Sequence, residues 1–177
     1  ANVPLPSKDA VLFALSYAIF GFSYELLIAL GIVSMLSIIS VSDISYYIIP
    51  DEVLVFFTAY FLIILTLSNG VMATLISLLS GFIMFCIMYT IMLLGNFLFK
   101  KESLGGGDIK LMFVIGLVLS PLPSLFVIFI GSLIALPISL VILIRKKTKL
   151  IPFGPFLIIA FLIIYFSKRD EYYYMRF

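Results

Sequence analysis

Residues 42–51 read Ser42-Asp43-Ile44-Ser45-Tyr46-Tyr47-Ile48-Ile49-Pro50-Asp51 and separate two long apolar runs. Asp43 closes the first run. Pro50 starts the second, because its ring fixes φ and it has no N–H to donate. A second aspartate, Asp108, opens a later run in Gly105-Gly106-Gly107-Asp108-Ile109-Lys110-Leu111. A carboxylate at the edge of hydrocarbon is costly unless it is neutralised, paired or hydrated. The two aspartates are therefore the first candidates for a functional site.

The composition is that of an integral membrane protein. Of the 177 residues, 64% are hydrophobic and 11% are charged, and the mean hydropathy is +1.30. A soluble domain is about half apolar and about a quarter charged. The length suits one domain over residues 1–177, and we expect an all-α bundle of transmembrane helices.

Two residue types are scarce in ways that limit the chemistry. The chain has no His, which removes the usual general base and the commonest metal ligand. Its one Cys, Cys86, forms neither an intrachain disulfide nor a Cys-x-x-Cys metal site. Because Cys86 lies in the middle of an apolar run, we expect it to be a small side chain of the core.

Apolar runs of about 20 residues predict membrane-spanning helices. We predict seven, at about 10–23, 26–42, 51–67, 71–99, 108–119, 124–144 and 154–166. The turn signal Ser68-Asn69-Gly70 separates the third from the fourth. The first and fifth are short, and we expect the fifth to begin below the bilayer surface, with its end facing protein or water.

The distribution of Lys and Arg predicts the orientation. With alternating spans, eight of the eleven basic residues fall on one side, which is expected to be cytoplasmic. They are Lys8, Lys100, Lys101, Lys110, Arg145, Lys146, Lys147 and Lys149, against Lys168, Arg169 and Arg176. Asp43 and Asp108 both come out on the cytoplasmic face.

Two of the three aspartates in these motifs also have a purely structural interpretation. Asp108 and Asp51 precede helices, where Asp commonly caps the first N–H groups. Asp43 is different, because it ends a helix and meets the unfavourable end of the dipole, so it needs a compensating group or a proton. Lys110 is expected to reach the lipid headgroups rather than pair with Asp108, which points to another helix face.

The glycines before Asp108 have a mechanical interpretation. Glycine permits positive φ and the close approach of another chain, so a substrate backbone in extended form is expected to lie against Gly105-Gly106-Gly107. If Asp43 and Asp108 come within a few ångströms of each other, they share a proton. The ionised member then takes a proton from water, and the protonated member donates to the scissile carbonyl.

Three motifs in order resemble those of the type IV prepilin peptidases, the GxGD class of membrane aspartyl proteases. They are Asp43 with Ile49-Pro50-Asp51, then Gly105 to Leu111, and then Ile151-Pro152-Phe153-Gly154-Pro155-Phe156, which is similar to the PFGP segment of that family. Order and spacing agree over about residues 24–166.

The resemblance implies an activity and its residues. Asp43 and Asp108 would be the catalytic aspartates, in an enzyme of the cytoplasmic membrane that removes the basic leader of type IV prepilins or pseudopilins after a glycine. The substrate's apolar helix would lie in the bilayer lipid, and no nucleic acid, metal or cofactor is implied. The site-shaping residues would be Pro50, Asp51, Gly105, Gly106, Gly107, Lys110, Pro152, Phe153, Gly154 and Pro155. Bifunctional family members carry two Cys-x-x-Cys pairs near the N-terminus; with one Cys, we expect this chain to have no methyltransferase activity and no zinc.

Other functions remain open at the level of sequence. Preflagellin peptidases and presenilin-like proteases share the two aspartates wholly or in part, although the chain has no Pro-Ala-Leu segment. A small carboxylate-dependent transporter would place acidic residues near the centres of its spans, whereas both aspartates here lie at span ends. An inactive scaffold for pilus assembly would keep the fold. The sequence does not indicate the oligomeric state.

Overall fold

A computed structural model describes residues 8–46, 48–100, 105–146 and 153–167. These residues form helices and contain no strand, which confirms the predicted all-α bundle. The six helices are α1 (Lys8–Phe20), α2 (Tyr24–Tyr46), α3 (Asp51–Phe99), α4 (Gly106–Val118), α5 (Pro121–Lys146) and α6 (Gly154–Ser167).

The described residues form six helices, so the predicted number of seven is wrong. The predicted spans 51–67 and 71–99 are joined in α3, where Gly70 alone is non-helical, with φ 82° and ψ 169°. Eight residues of straight helix rise about 12 Å, yet the hydroxyls of Thr66 and Thr74 are 3.2 Å apart. The helix therefore bends sharply at Gly70. The break is where the sequence placed it, but one glycine makes it without a separate loop.

Within the part of the chain that the structure describes, three helices are long and apolar enough to cross a membrane. They contain the segments Tyr24–Tyr46, Asp51–Leu98 and Pro121–Val141. The apolar segments Asp9–Phe20 and Gly154–Ser167 are shorter. α4, predicted as a short span over 108–119, has 13 residues and measures about 20 Å, less than the hydrocarbon core of about 30 Å. The protein is thus an integral membrane protein in which α4 lies outside the three candidate spans.

Most side chains of α4 are buried, and its first turn contains Asp108. The helix packs closely on the second arm of α3, which is the part after the bend at Gly70, residues 71–99. A methyl group added at Gly116 would lie 2.8 Å from Cγ of Met84 and 3.0 Å from Cα of Gly81. Small residues allow such close approach between helices in membranes. Cys86, on the same arm, is exposed, so its predicted place in the core is wrong. Hydrophobicity alone does not separate a face that meets lipid from one that meets protein.

Candidate active site

Asp43 lies in the last turn of α2 and is buried, with 6% of its surface exposed. Its compensating group comes from α6, because the backbone N–H of Gly154 donates a hydrogen bond of 3.0 Å to Oδ2 of Asp43. Gly154 is the first residue of α6, so the positive end of that helix dipole faces the carboxyl group. The unfavourable end of α2 is thus offset by the favourable end of α6.

The same contact requires a glycine at position 154. A methyl group added to Gly154 would lie 2.9 Å from Oδ2 of Asp43 and 3.1 Å from Cδ1 of Ile49. Any other residue would have to displace the carboxyl group, the Ile49 side chain or the start of α6.

Asp108 lies in the first turn of α4 and is also buried, with 8% exposed. The N-cap of α4 is Gly105, and no side chain caps the helix, so the alternative that Asp108 is a cap is wrong. Its backbone N–H donates to the carbonyl of Gly105 at 3.2 Å. The Asp108 carboxyl group therefore does not cap α4.

The two carboxyl groups interact electrostatically. Burial, and then the negative charge of Asp43, raise the pKa of Asp108 from 3.8 to about 7. Two carboxyl groups that interact in this way exchange a proton as a pair. Near neutral pH the pair can therefore hold one proton, which is the state that acid–base activation of water requires.

Ile49 joins the three segments that form the site. It lies in the non-helical residues 48–50 between α2 and α3 and is buried, with 8% exposed. A methyl group added at Gly107 would lie 2.8 Å from Cβ of Ile49, and one at Gly154 would lie 3.1 Å from Cδ1 of the same side chain. Ile49 thus fills the space between the first turns of α4 and α6. The sequence analysis quoted Ile49 only as part of a motif and gave it no role, because no local pattern shows that Ile49 is buried while Ile48 is exposed.

The glycines before Asp108 use only one of the two properties that glycine offers. Gly105 has φ −70°, and positive φ occurs at no glycine of the described residues except Gly21 and Gly70. The positive φ that glycine permits is therefore not used at residues 105–107, and the expected contact with a substrate backbone stays a prediction. Close approach does occur at Gly107, but the neighbour is Ile49 of the same chain, whereas a methyl group at Gly106 would meet nothing within 4 Å.

Lys110 and Asp51 form an ion pair beside the site. Nζ of Lys110 lies 2.7 Å from Oδ1 and 2.6 Å from Oδ2 of Asp51, and both side chains are more than half exposed. Lys110 avoids Asp108 as predicted, but it binds Asp51 rather than reaching for headgroups. Asp51 is not a cap, since Pro50 is the N-cap of α3. The pair ties the start of α3 to the first turn of α4.

The last motif forms the beginning of α6. The carbonyl of Phe153 accepts the N–H groups of Phe156 (3.1 Å) and Leu157 (3.3 Å). Pro155 is buried in the first turn, where its missing N–H costs nothing. Pro152 lies outside the described residues. Among those that are described, no three His, Cys, Asp or Glu side chains cluster in a way that could hold a metal ion.

Comparison with known proteins identifies the family of the chain. The sequence profile of the type IV leader peptidase family matches residues 30–140, which contain both Asp43 and Asp108. The chain belongs to this family. The membership predicted from the three motifs is confirmed, and it favours the leader-peptidase interpretation over the small-transporter alternative.

Two curated relatives carry a name of this family. A prepilin leader peptidase/N-methyltransferase of Bacillus subtilis (strain 168) is 32% identical over 152 residues, which are 82% of this chain and 58% of that protein. One of Haemophilus influenzae (strain ATCC 51907 / DSM 11121 / KW20 / Rd) is 34% identical over 90 residues, 50% of this chain and 37% of that protein. The chain thus matches about half the length of these relatives. No solved structure matches it.

Proposed function

We propose that this chain is an aspartic endopeptidase that removes the leader peptide of type IV prepilins or pseudopilins, with Asp43 and Asp108 as its catalytic carboxyl groups. One observation carries the proposal. Two buried carboxyl groups from distant parts of the sequence interact at the ends of their helices, and the charge on Asp43 raises the pKa of Asp108. Family membership supports the same reaction class.

The environments of the two groups suggest a division of roles. Asp43 accepts the Gly154 N–H, and a hydrogen bond to the charged form favours that form. We therefore assign the negative charge to Asp43 and the proton to Asp108, whose pKa is raised to about 7 by burial and by the charge of Asp43. In the first step, Asp43 takes a proton from water, the water oxygen attacks the scissile carbonyl carbon, and Asp108 gives its proton to the carbonyl oxygen.

Collapse of the resulting gem-diol restores the starting state. Asp43 passes its proton to the leaving nitrogen as the C–N bond breaks, and Asp108 takes back a proton from a hydroxyl of the gem-diol. The products are a carboxylic acid and an amine, and one proton remains on Asp108. No other nucleophile takes part in this scheme.

A groove along α2 is the proposed binding surface for the apolar segment of the substrate. An open groove of about 500 Å³ runs along α2 and is lined by Ser37, Ile38, Val41, Ser42, Tyr46 and Pro50. Val41 is 67% exposed and Ile38 46%, so the lining is apolar. The lining includes Ser42 and Pro50, the chain neighbours of Asp43 and Ile49, and we propose that the first turns of a prepilin's apolar helix bind there. The Lys and Arg distribution supports a cytoplasmic position for this end of the bundle in the cytoplasmic membrane.

A leader-cleavage assay tests the proposal. The chain is co-expressed with a prepilin that has a basic leader and a glycine before its apolar helix, and the size shift is followed on a gel. We expect wild type to cleave, and Asp43→Asn and Asp108→Asn each to lose cleavage while still inserting in the membrane. Glu25→Gln is the control, because Glu25 lies in the first turn of α2, at the opposite end of that helix from Asp43.

Two outcomes would contradict the proposal. Full activity of either active-site variant would remove that aspartate from the mechanism. Failure of a well-inserted wild type to cut a panel of prepilins would favour the scaffold function instead.

A further inference from the structure

We propose that Ile49 is a positioning residue that sets the separation of the Asp43 and Asp108 carboxyl groups. This inference rests on the proposed function, because it concerns the geometry of the proposed catalytic pair. Ile49 is not itself expected to touch the reacting atoms.

The Ile49 side chain fits between the two turns that carry the site. On one side it packs against Gly107, the residue before Asp108, where an added methyl group would lie 2.8 Å from its Cβ, 3.2 Å from Cγ1 and 3.3 Å from Cδ1. On the other side Cδ1 packs against Gly154, the residue whose N–H binds Asp43. The terminal methyl group, Cδ1, therefore occupies the space that a side chain at either glycine would need, and we infer that its size limits how closely the two turns approach.

The backbone that carries Ile49 is fixed on both sides. The hydroxyl of Ser42 donates to the carbonyl of Ile48 at 2.8 Å, which ties the residues before Ile49 to α2 next to Asp43. The Asp51–Lys110 ion pair ties the residues after it to α4. Pro50 between them has a fixed φ, at −66°. Because its backbone is held on both sides, the Ile49 side chain acts as a rigid spacer between the two turns.

Conservative truncation of Ile49 distinguishes a role as a spacer from a general role in packing. Ile49→Val removes only Cδ1, the atom that occupies the space beside both Gly107 and Gly154, and Ile49→Ala removes more of the side chain. The matched control is Ile64→Val. Ile64 is buried to a similar degree, with 5% exposed, in the same hydrophobic core. It lies 13 residues beyond Asp51 along α3, which corresponds to about 20 Å of helix.

The first readout is the kinetics of leader cleavage by the full chain in detergent micelles. Misplacement of reacting groups by about 1 Å costs on the order of 100-fold in rate. We expect kcat to fall about 10-fold in Ile49→Val and about 100-fold in Ile49→Ala, with KM within about twofold of wild type. Ile64→Val is expected to lower the unfolding temperature as much as Ile49→Val does and to keep its kcat.

The second readout does not depend on cleavage. Carboxyl ¹³C NMR follows the protonation of Asp108 in each variant. Loss of the spacer lets the carboxyl groups approach, so their repulsion grows and the titration midpoint of Asp108 moves upward by about 0.3 pH unit. The midpoint is expected to stay unchanged in Ile64→Val. Asp51 and Lys110, the ion pair beside the site, are unaltered in every variant.

The two readouts separate failure of this inference from failure of the proposed function. An inactive wild type would contradict the peptidase assignment, and the Asp108 titration would still report on the spacer. Equal losses of kcat in Ile49→Val and Ile64→Val, with an unmoved Asp108 midpoint, would show that Ile49 only fills space and would overturn the inference.

Discussion

The backbone N–H of Gly154 donates to Oδ2 of Asp43 at 3.0 Å, across 111 residues of sequence. This bond brings the favourable end of one helix to the carboxyl group that ends another. It also explains why the motif around Gly154 accompanies the two aspartates: its first N–H, together with the absence of a side chain, completes the environment of Asp43.

Gly154→Ala is expected to lower leader cleavage by about 100-fold, because the new methyl group would lie 2.9 Å from Oδ2 of Asp43 and would displace it. Cleavage rates of purified protein check this. Gly131→Ala is a useful comparison on α5, since its methyl group meets Leu157 and the carbonyl of Phe156 at 3.3–3.4 Å, which is much less crowded. Wild-type activity in Gly154→Ala would mean that the Asp43 contact is dispensable.

Gly107→Ala and Gly106→Ala are expected to differ sharply although the residues are neighbours. At Gly107 the methyl group would lie 2.8 Å from Cβ of Ile49, whereas at Gly106 it meets nothing within 4 Å. We expect Gly107→Ala to lose most of its activity. Gly106→Ala should keep its activity and gain up to about 1 kcal/mol in free energy of unfolding, since Ala favours helix. Cleavage assays and thermal unfolding compare them, and similar losses in both would contradict the packing described for Gly107.

Breaking the Asp51–Lys110 pair should change stability little. Both side chains are more than half exposed, and such pairs contribute about 0–1 kcal/mol. We expect Asp51→Asn and Lys110→Met each to lower cleavage about fivefold through the looser Ile49 segment. The double variant Asp51→Lys/Lys110→Asp, in which the two charges are exchanged, should recover most of the cleavage rate. Failure of the exchange to recover activity, measured beside the single variants, would assign these side chains to another role.

The pH dependence follows from the raised pKa of Asp108. Between about pH 4 and pH 7 the folded chain keeps a proton on Asp108 that the unfolded chain has released. The free energy of unfolding therefore falls as pH rises through this range, by at most about 1.4 kcal/mol per unit. Cleavage is expected to decline as pH rises through about 7, because Asp108 loses the proton that it donates. Denaturation and rate profiles in micelles test both.

The Asp108→Asn variant provides the control for stability. It should remove this part of the pH dependence of unfolding, and Asp9→Asn should leave it in place. An Asp108→Asn variant with the wild-type stability profile would show that another group is responsible.

The sequence indicated that Asp43 and Asp108 share one site and that Asp43 needs a compensating group, whereas Gly154 entered only through the resemblance of its motif to a known family. The structure shows that the backbone of Gly154 supplies that group, and the catalytic role of the aspartates stays a prediction. The number of helices was wrong, since hydropathy marks a break at Gly70 without showing that one residue makes it. The roles of Ile49 and of the Asp51–Lys110 pair depend on contacts between segments far apart in sequence, and no local pattern encodes them.

The long sequence separation between Asp43 and Gly154 has a consequence during synthesis: the donor to Asp43 is made well after both aspartates. Residues 108 and 154 are 46 positions apart, so at about 5–20 residues per second the ribosome needs several seconds to pass from one to the other. During that interval the chain already contains both aspartates, but Asp43 has no hydrogen-bond donor from α6. A nascent chain that lacks α6 therefore leaves the Asp43 carboxyl group without this donor, and under the proposed function leader cleavage would begin only after α6 has docked.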